Sequence, residues 1–213
     1  MRVVEKTALV LICGSALACS TGEGHGDVTS RRLFIEGCWN GEFNLKPTFF
    51  AAQPHLSESL MIRVQRGDDI EEVSDGLLVV VEDLENIRQN QLGQPLPVGL
   101  PVGVTPPGFP VVPNPNPPKV SLALYLQETC HLQNASVYSV GGSITFESIF
   151  SGDPNEDNAE DRLTNASFSV LFADPRKAMP GNSTLQFPNE VVSQVDGRFD
   201  FYFQRGQPAQ RFP

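Results

Sequence analysis

The sequence predicts an all-β domain: an antiparallel β-sandwich of about eight strands, with one short helix and a long proline-rich loop. Three observations point there. Apolar residues recur with a period of two, most clearly in RFDFYFQ, where Phe199, Phe201 and Phe203 share one face and Arg198, Asp200, Tyr202 and Gln204 the other. The alternating runs are short and punctuated by Gly, Pro, Asn and Asp. Ten of the eighteen prolines crowd into residues 95 to 118, a stretch that reads as extended surface loop.

Composition sets the scale. The chain has 213 residues, 40% hydrophobic and 8% aromatic, enough for one domain with a core of its own. Its formal net charge is -10, from 15 basic and 25 acidic residues. Removing Arg2, Lys6 and Glu5 with a leader leaves 13 against 24, a charge of -11. A surface that acidic repels phosphate backbones, which excludes nucleic acid as a natural partner.

From the amino terminus, residues 1–18 have the three parts of an export signal. MRVVEK carries Arg2 and Lys6 against Glu5, TALVLICGSALA supplies the apolar stretch, and small residues at Ala16 and Ala18 close it. The apolar stretch is too short to cross a bilayer, which takes roughly 20 residues. SALAC followed by STGEGHGDVTS resembles the lipobox and tether of bacterial lipoproteins, although Ala16 stands where that family prefers Leu. The resemblance implies a diacylglyceryl group on the sulfur of Cys19, removal of the leader and further acylation (palmitate-type chains) of the new amino terminus. It covers about twenty residues and concerns processing alone. Ser20, in place of an inner-membrane retention Asp, points to the outer membrane of a bacterial cell envelope. Two or three acyl chains hold a soluble domain at a bilayer where one would not. The domain as a whole also resembles lipoproteins of myxobacteria, a likeness that implies no mechanism.

Cysteine parity gives an independent argument. Cys13 leaves with the leader, so Cys19, Cys38 and Cys130 remain, an odd number for an oxidising compartment. If a thioether consumes Cys19, then Cys38 and Cys130 form an even pair. A disulfide between them closes a loop of about 92 residues, worth on the order of 4 kcal/mol in the chain-entropy model. In CWNGEFNL the core face is Trp39, Phe43 and Leu45, which turns Cys38 outward, whereas Cys130 shares parity with Leu122, Leu124 and Leu126. A bulge or strand end at one of the two would reconcile them.

Residues 19–32 read as the lipid-attachment cysteine and a flexible tether, with His25 a solvated linker residue. A single domain is expected over 33–213. Its strands are WNGEFNL, SLMIRVQ, GLLVVVE, VSLALYL, SVYSV, SITFESIF, ASFSVLF and RFDFYFQ. GLLVVVE is apolar on both faces and belongs in the middle of a sheet. EDLENIRQNQ places Leu84 and Ile87 at helical spacing and supplies the one helix. The loop 93–119 cannot be a central strand, because proline removes donors. Its Val98, Leu100, Val102, Val104 and Phe109 either pack back over a sheet edge, the favoured reading, or face a partner.

Two acidic runs are candidate cation sites. SGDPNEDNAEDRL sets Asp153, Asn155, Asp157 and Asp161 at positions 1, 3, 5 and 9 of a calcium-loop frame, but Asn158 replaces the turn Gly and Thr164 the bidentate Glu. GDDIEEVSDG, with Asp68, Asp69, Glu71, Glu72 and Asp75, reads as an exposed turn. No nucleophile elbow, zinc-binding histidine pair or phosphate-cradling glycine loop occurs. His55 and His131 are isolated, and Asn-x-Ser/Thr triplets at Asn134, Asn165 and Asn182 read as turn and strand-edge polar residues. The expectation is therefore a non-enzymatic lipoprotein of the outer membrane, acting by binding or structural support, with the bilayer and an envelope protein or glycan as partners. The alternative is a calcium-assisted carbohydrate- or ligand-binding module built on the 153–161 loop. A hydrolase comes third and needs a cleft with two converging carboxylates. No cofactor is expected beyond the covalent lipid and, in the alternative, calcium.

Overall fold

The alternating runs assemble into one mixed sheet of ten strands, not an antiparallel sandwich of eight. A computed structural model describes residues 24–55, 58–67, 74–106, 117–131, 135–179 and 185–204. The strands are β1 (Gly24–Ile35), β2 (Trp39–Leu45), β3 (Phe49–His55), β4 (Ser59–Gln65), β5 (Asp75–Val81), β6 (Pro95–Gly99), β7 (Val120–Leu126), β8 (Ser136–Ser148), β9 (Leu163–Ala173) and β10 (Ser193–Tyr202). The expected helix is α1 (Leu84–Asn86), which runs on into a π-type turn over Ile87–Gln91. Two further single turns, α2 (Gln127–Cys130) and α3 (Ala159–Arg162), follow β7 and precede β9. Across the sheet the order is β2-β1-β10-β9-β8-β6-β7-β5-β4-β3. GLLVVVE does lie inside the sheet, as β5 between β4 and β7.

The two edge strands of that order, β2 and β3, are consecutive in the chain and joined by Lys46, Pro47 and Thr48 alone. The sheet must therefore curl until its ends meet. Phe50 of β3 stacks on Phe201 of β10 with ring centroids 5.7 Å apart. The row Phe49, Gln65, Gly76 and Tyr125 crosses β3, β4, β5 and β7. It begins beside the Gly24 end of β1, at the Phe50–Phe201 contact, and ends near the Ile35 end, where Cys130 bonds to Cys38. The two halves of the curled sheet thus meet at both places, through the Phe50–Phe201 stack and through the Cys38–Cys130 bond. Their inner faces make one continuous core, with Phe146, Phe150, Phe172, Phe199 and Phe201 at most 1% exposed.

Two expectations give way here. Residues 24–32 are not tether but the first part of β1. Gly24 and Gly26 share the inward parity of Val28, and a Cβ on Gly24 would sit 2.6 Å from the Phe201 Cβ and 2.9 Å from the Phe50 ring. On Gly26 it would sit 3.1 Å from Pro47 Cγ. These glycines are there because aromatic rings and a proline fill the space a side chain would take. The Cys38 parity conflict is resolved by a strand end, the reconciliation the sequence allowed, since Cys38 follows Gly37 (φ +73°) in the β1–β2 turn and Cys130 ends α2. Both cysteines lie off the strands, their Cα atoms 5.4 Å apart, and the disulfide ties the turn after β1 to the turn after β7.

The second correction concerns proline. β6, inside the 93–119 loop, is an interior strand between β8 and β7. It pairs antiparallel with β8 through Pro95, Leu96 and Pro97, and parallel with β7 only from Val98 onward. Prolines cannot donate, so Leu96 opposite Ile144 must be the hydrogen-bonded pair, and the ring nitrogens of Pro95 and Pro97 point to the side where β7 has not yet begun. The missing donors thus cost nothing. Leu96 and Val98 are buried in the core, while the prolines face out. Of the other apolar loop residues, Val102 is 75% exposed and Phe109 lies outside the described residues.

Beyond β6 the strands β7 and β8 close up and pair directly, Ala123 opposite Tyr138. Fully buried Ser139 sits at this fork, in a β8 irregularity. Its hydroxyl donates to the Gly99 carbonyl at 2.5 Å and accepts from the Leu122 N–H at 2.9 Å. Ser139→Ala leaves both backbone groups unpaired in the interior and is expected to cost about 1–3 kcal/mol in a urea titration. Removing the disulfide with the Cys38→Ala, Cys130→Ala double variant is expected to cost about 2–5 kcal/mol in the same measurement.

Candidate functional site

The acidic loop comes first because the sequence singles it out. Between β8 and β9 its carboxylates build turns. The Asp153 side chain accepts from Asn155 N–H at 2.9 Å, Glu156 accepts from Asn158 N–H at 3.0 Å, and Asn158 caps α3 by accepting from Glu160 N–H at 3.1 Å. The Asn158 N–H holds the exposed Glu156 carboxyl below the usual range. Asp161 accepts from the Asn158 amide at 2.8 Å and forms an ion pair with Arg88 from the π-type turn. Asp153 and Asp161 therefore serve different local partners. Among the described residues no group of three or more His, Cys, Asp or Glu is placed to hold a metal ion.

A second polar cluster has no counterpart in the sequence reading. On the outward face of β4, β5 and β7, Arg63, Gln65 and Tyr125 are all buried. Arg63 Nε donates to Tyr125 Oη at 2.9 Å, Tyr125 Oη donates to Gln65 Oε1 at 3.2 Å, and the guanidinium lies 5.5 Å from the ring centroid. Tyr125 lies across Gly76, where a Cβ would come within 2.3 Å of its hydroxyl. Burial pushes the Tyr125 phenol up, and Arg63 only partly offsets this. The phenol therefore stays neutral at physiological pH, a structural donor rather than a base. Close by, Asp75 is not the exposed turn residue expected. It is 1% exposed and accepts from both the backbone N–H and the hydroxyl of Thr129 in α2. Asp68, Asp69, Glu71 and Glu72 lie outside the described residues.

The described residues also form three surface depressions of interest. An apolar groove of about 1050 Å³ runs along the proline-rich segment, lined by Pro97, Leu100, Val102, Pro118, Val140 and Leu185 among others. Lys119 is its cation, and Nζ sits 3.1 Å from Asp83. Across residues 103–105 is a polar pocket of about 380 Å³ with Ser136, Tyr138, Asp174 and Arg176. There Arg176 Nε donates to both Asp174 oxygens at 2.9 and 3.0 Å. Partial burial works to raise the Asp174 carboxyl, but hydrogen bonds from Arg176 outweigh it and hold the group below its usual range. The third, about 480 Å³, lies on the outer face of β1, β9 and β10 between His25, Asp27, Asn165, Arg198 and Asp200. Arg198 pairs with Asp27 at 2.9 Å, and His25 faces Asp200 at 3.8 Å. His25 is thus a strand residue, not a linker one.

Of the predicted site residues, Cys38 and Cys130 are joined, whereas Asp153, Asn155, Asp157 and Asp161 share a loop without converging. Cys19 lies outside the described residues, as do Asn134 and Asn182, while Asn165 projects outward from β9. The groove suits hydrocarbon surface. The half-buried and buried carboxylates are held by Arg88, Arg176 and Thr129 in roles that shape the fold.

The Tyr125 network has a measurable pH signature. In the unfolded chain a phenol ionises near pH 10, and in the fold Tyr125 ionises higher. The unfolded state then releases its proton first, so stability is intact below about pH 10 and falls as pH rises past it. In urea titrations between about pH 9 and 11, Tyr125→Phe is expected to lose part of that downward slope and to cost about 1 kcal/mol at neutral pH from its two hydrogen bonds. A slope unchanged from wild type would place the phenol in water. No family model matches the chain, and no curated protein or solved structure matches it either.

Proposed function

We propose that the chain is a lipoprotein of the bacterial outer membrane, held there through an acylated Cys19, whose β domain acts by binding or structural support rather than by catalysis. The observation that carries this reading is the Cys38–Cys130 disulfide. With Cys13 removed in a leader, that bridge leaves Cys19 as the one cysteine of the mature chain outside a disulfide, at the foot of a lipobox-like SALAC. A bridged domain belongs in an oxidising compartment, and a thioether on the remaining thiol completes the cysteine chemistry. The non-catalytic part draws support from the ion-paired and hydrogen-bonded states of Asp75, Asp161 and Asp174.

Calcium-assisted ligand binding is the weaker reading, because the loop that would carry it spends Asp153 and Glu156 on turns and Asp161 on the Asn158 amide and Arg88. Calorimetry with calcium is its test.

The anchor is tested by intact mass and fractionation. Chain extracted from membranes is expected to begin at Cys19, to carry the added mass of two or three acyl groups, and to gain two hydrogens on reduction. Cys19→Ser is expected to lose the acyl mass and leave the outer-membrane fraction while keeping its disulfide. A mature wild-type chain with an unmodified Cys19 would refute the anchor.

A further inference from the structure

The start of β1 fixes how far the domain can stand from its anchor. Only residues 20–23 separate Cys19 from Gly24, the first residue of the strand. Five Cα steps reach at most about 17 Å. Gly24 is pinned, paired with Phe201 and closed in by the Phe50 and Phe201 side chains, so β1 cannot peel away to lengthen the stalk without opening the core. On the acylation of Cys19 read above, this end of the sheet lies within one short segment of the bilayer.

The same end carries a surface with interfacial chemistry. On the outer face of β1, β9 and β10, Arg198–Asp27 and His25–Asp200 form two rows of opposed charge around the 480 Å³ depression. Nearest the rim, Tyr202 projects outward, 48% exposed, with an apolar ring and a polar tip. The rim is braced from within, since Phe203 stacks on Phe150 at 4.1 Å. The loop carrying Asp153, Glu156, Asp157 and Glu160 leaves from this end too, and it disfavours an anionic surface.

We propose that this rim, with Tyr202, His25 and Arg198 at its edge, is the face the domain presents to the membrane, seated against zwitterionic phospholipid headgroups. Paired charges of both signs match a headgroup with its own phosphate and amine, and a tyrosine suits the depth at which the two media meet. The opposite end, with Trp39 and the disulfide, then points away from the bilayer.

Trp39 makes the test direct, because it is the chain's single tryptophan and lies one strand length from the rim, roughly 30–35 Å at the usual strand rise. Acylated full-length protein is reconstituted into phosphatidylcholine vesicles containing a headgroup nitroxide, which quenches nearby indoles. Wild-type emission is expected to be unaffected, and Tyr202→Trp is expected to lose much of its added emission. Replacing half the phosphatidylcholine with phosphatidylglycerol is expected to weaken that loss. If the protein floats with the vesicles and carries its acyl mass, yet Tyr202→Trp is quenched no more than wild type, the orientation is wrong while the anchor stands. Strong quenching of Trp39 would overturn it equally, and stronger quenching on the anionic vesicles would overturn the zwitterionic assignment. Protein that neither floats nor carries acyl mass would overturn anchor and orientation together.

Discussion

Three residues, Lys46 to Thr48, join the two edge strands of a ten-strand sheet, and the architecture depends on that short link. Edges that far apart in strand order can be that close in the chain only if the sheet wraps round. Wrapping turns one face of every strand inward, so a single sheet acquires the enclosed core that a two-sheet sandwich would have. It also brings β3 against β10 and the turn after β1 against the turn after β7, contacts between residues remote in strand order. The 92-residue separation of the disulfide partners is a consequence, because the bridge joins the two halves where the curl has superposed them.

A wrapped sheet cannot keep perfect register, and each break exposes backbone groups to an apolar interior. Here the repair falls to small hydroxyls. Ser30 donates to Gln194 O at 2.6 Å where the β1–β2 register slips, Ser193 accepts from Phe34 N–H at 2.8 Å, and Thr164 accepts from Phe150 N–H at 3.1 Å. Together with Ser139 these residues are at most 6% exposed. Each replaces a ladder hydrogen bond that the curvature removes, at a smaller desolvation cost than a larger polar side chain would carry. Prolines 95 and 97 solve the same problem in reverse, placing residues without donors where the ladder has no acceptor to offer.

Much of the fold was legible because the two-residue period is a property of any half-buried strand. VSLALYL matches β7 end to end, and WNGEFNL and SLMIRVQ match β2 and β4. Phe199 and Phe201 are in the core as their alternation requires, whereas Phe203 is only partly buried against it. What stayed hidden depends on tertiary partners. GHGDVTSRR reads as linker because Gly24 and Gly26 have no side chains to declare a face, and their inward role exists only through Phe50, Phe201 and Pro47. PLPVG reads as loop because proline normally excludes a central strand, and the exception needs a neighbour that starts three residues late. SVYSV and SITFESIF read as separate strands because Gly141 and Gly142 look like a turn, yet both pair with β9 within continuous β8, whose register slips just before them, between Ser139 and Gly141. In the site regions, the 153–161 run lies in a loop as expected, whereas Asp75 is buried at the start of β5, and the buried Arg63–Tyr125 network left no trace. An outward Arg or Tyr looks the same in sequence whether water or protein covers it.

The recasting of residues 24–32 bears on the proposed anchor as much as on the fold. A thirteen-residue flexible tether would let an acylated domain turn freely and sample the space above the bilayer, so no surface of it would have a preferred relation to the lipid. Once most of that tether is a strand in the sheet, only residues 20–23 stand between Cys19 and β1, and on the proposed acylation the start of β1 would stay close to the anchor. The amino acids that permit this are the small ones that made the segment look unstructured. Gly24 and Gly26 let the strand approach Phe50, Phe201 and Pro47 closely enough to be locked. A bulkier residue at either position would push the strand start out of the core and lengthen the stalk. If Cys19 is acylated as proposed, the packing of these two glycines also sets the reach of the anchor, and the local crowding of the core would decide how near the domain stands to the bilayer.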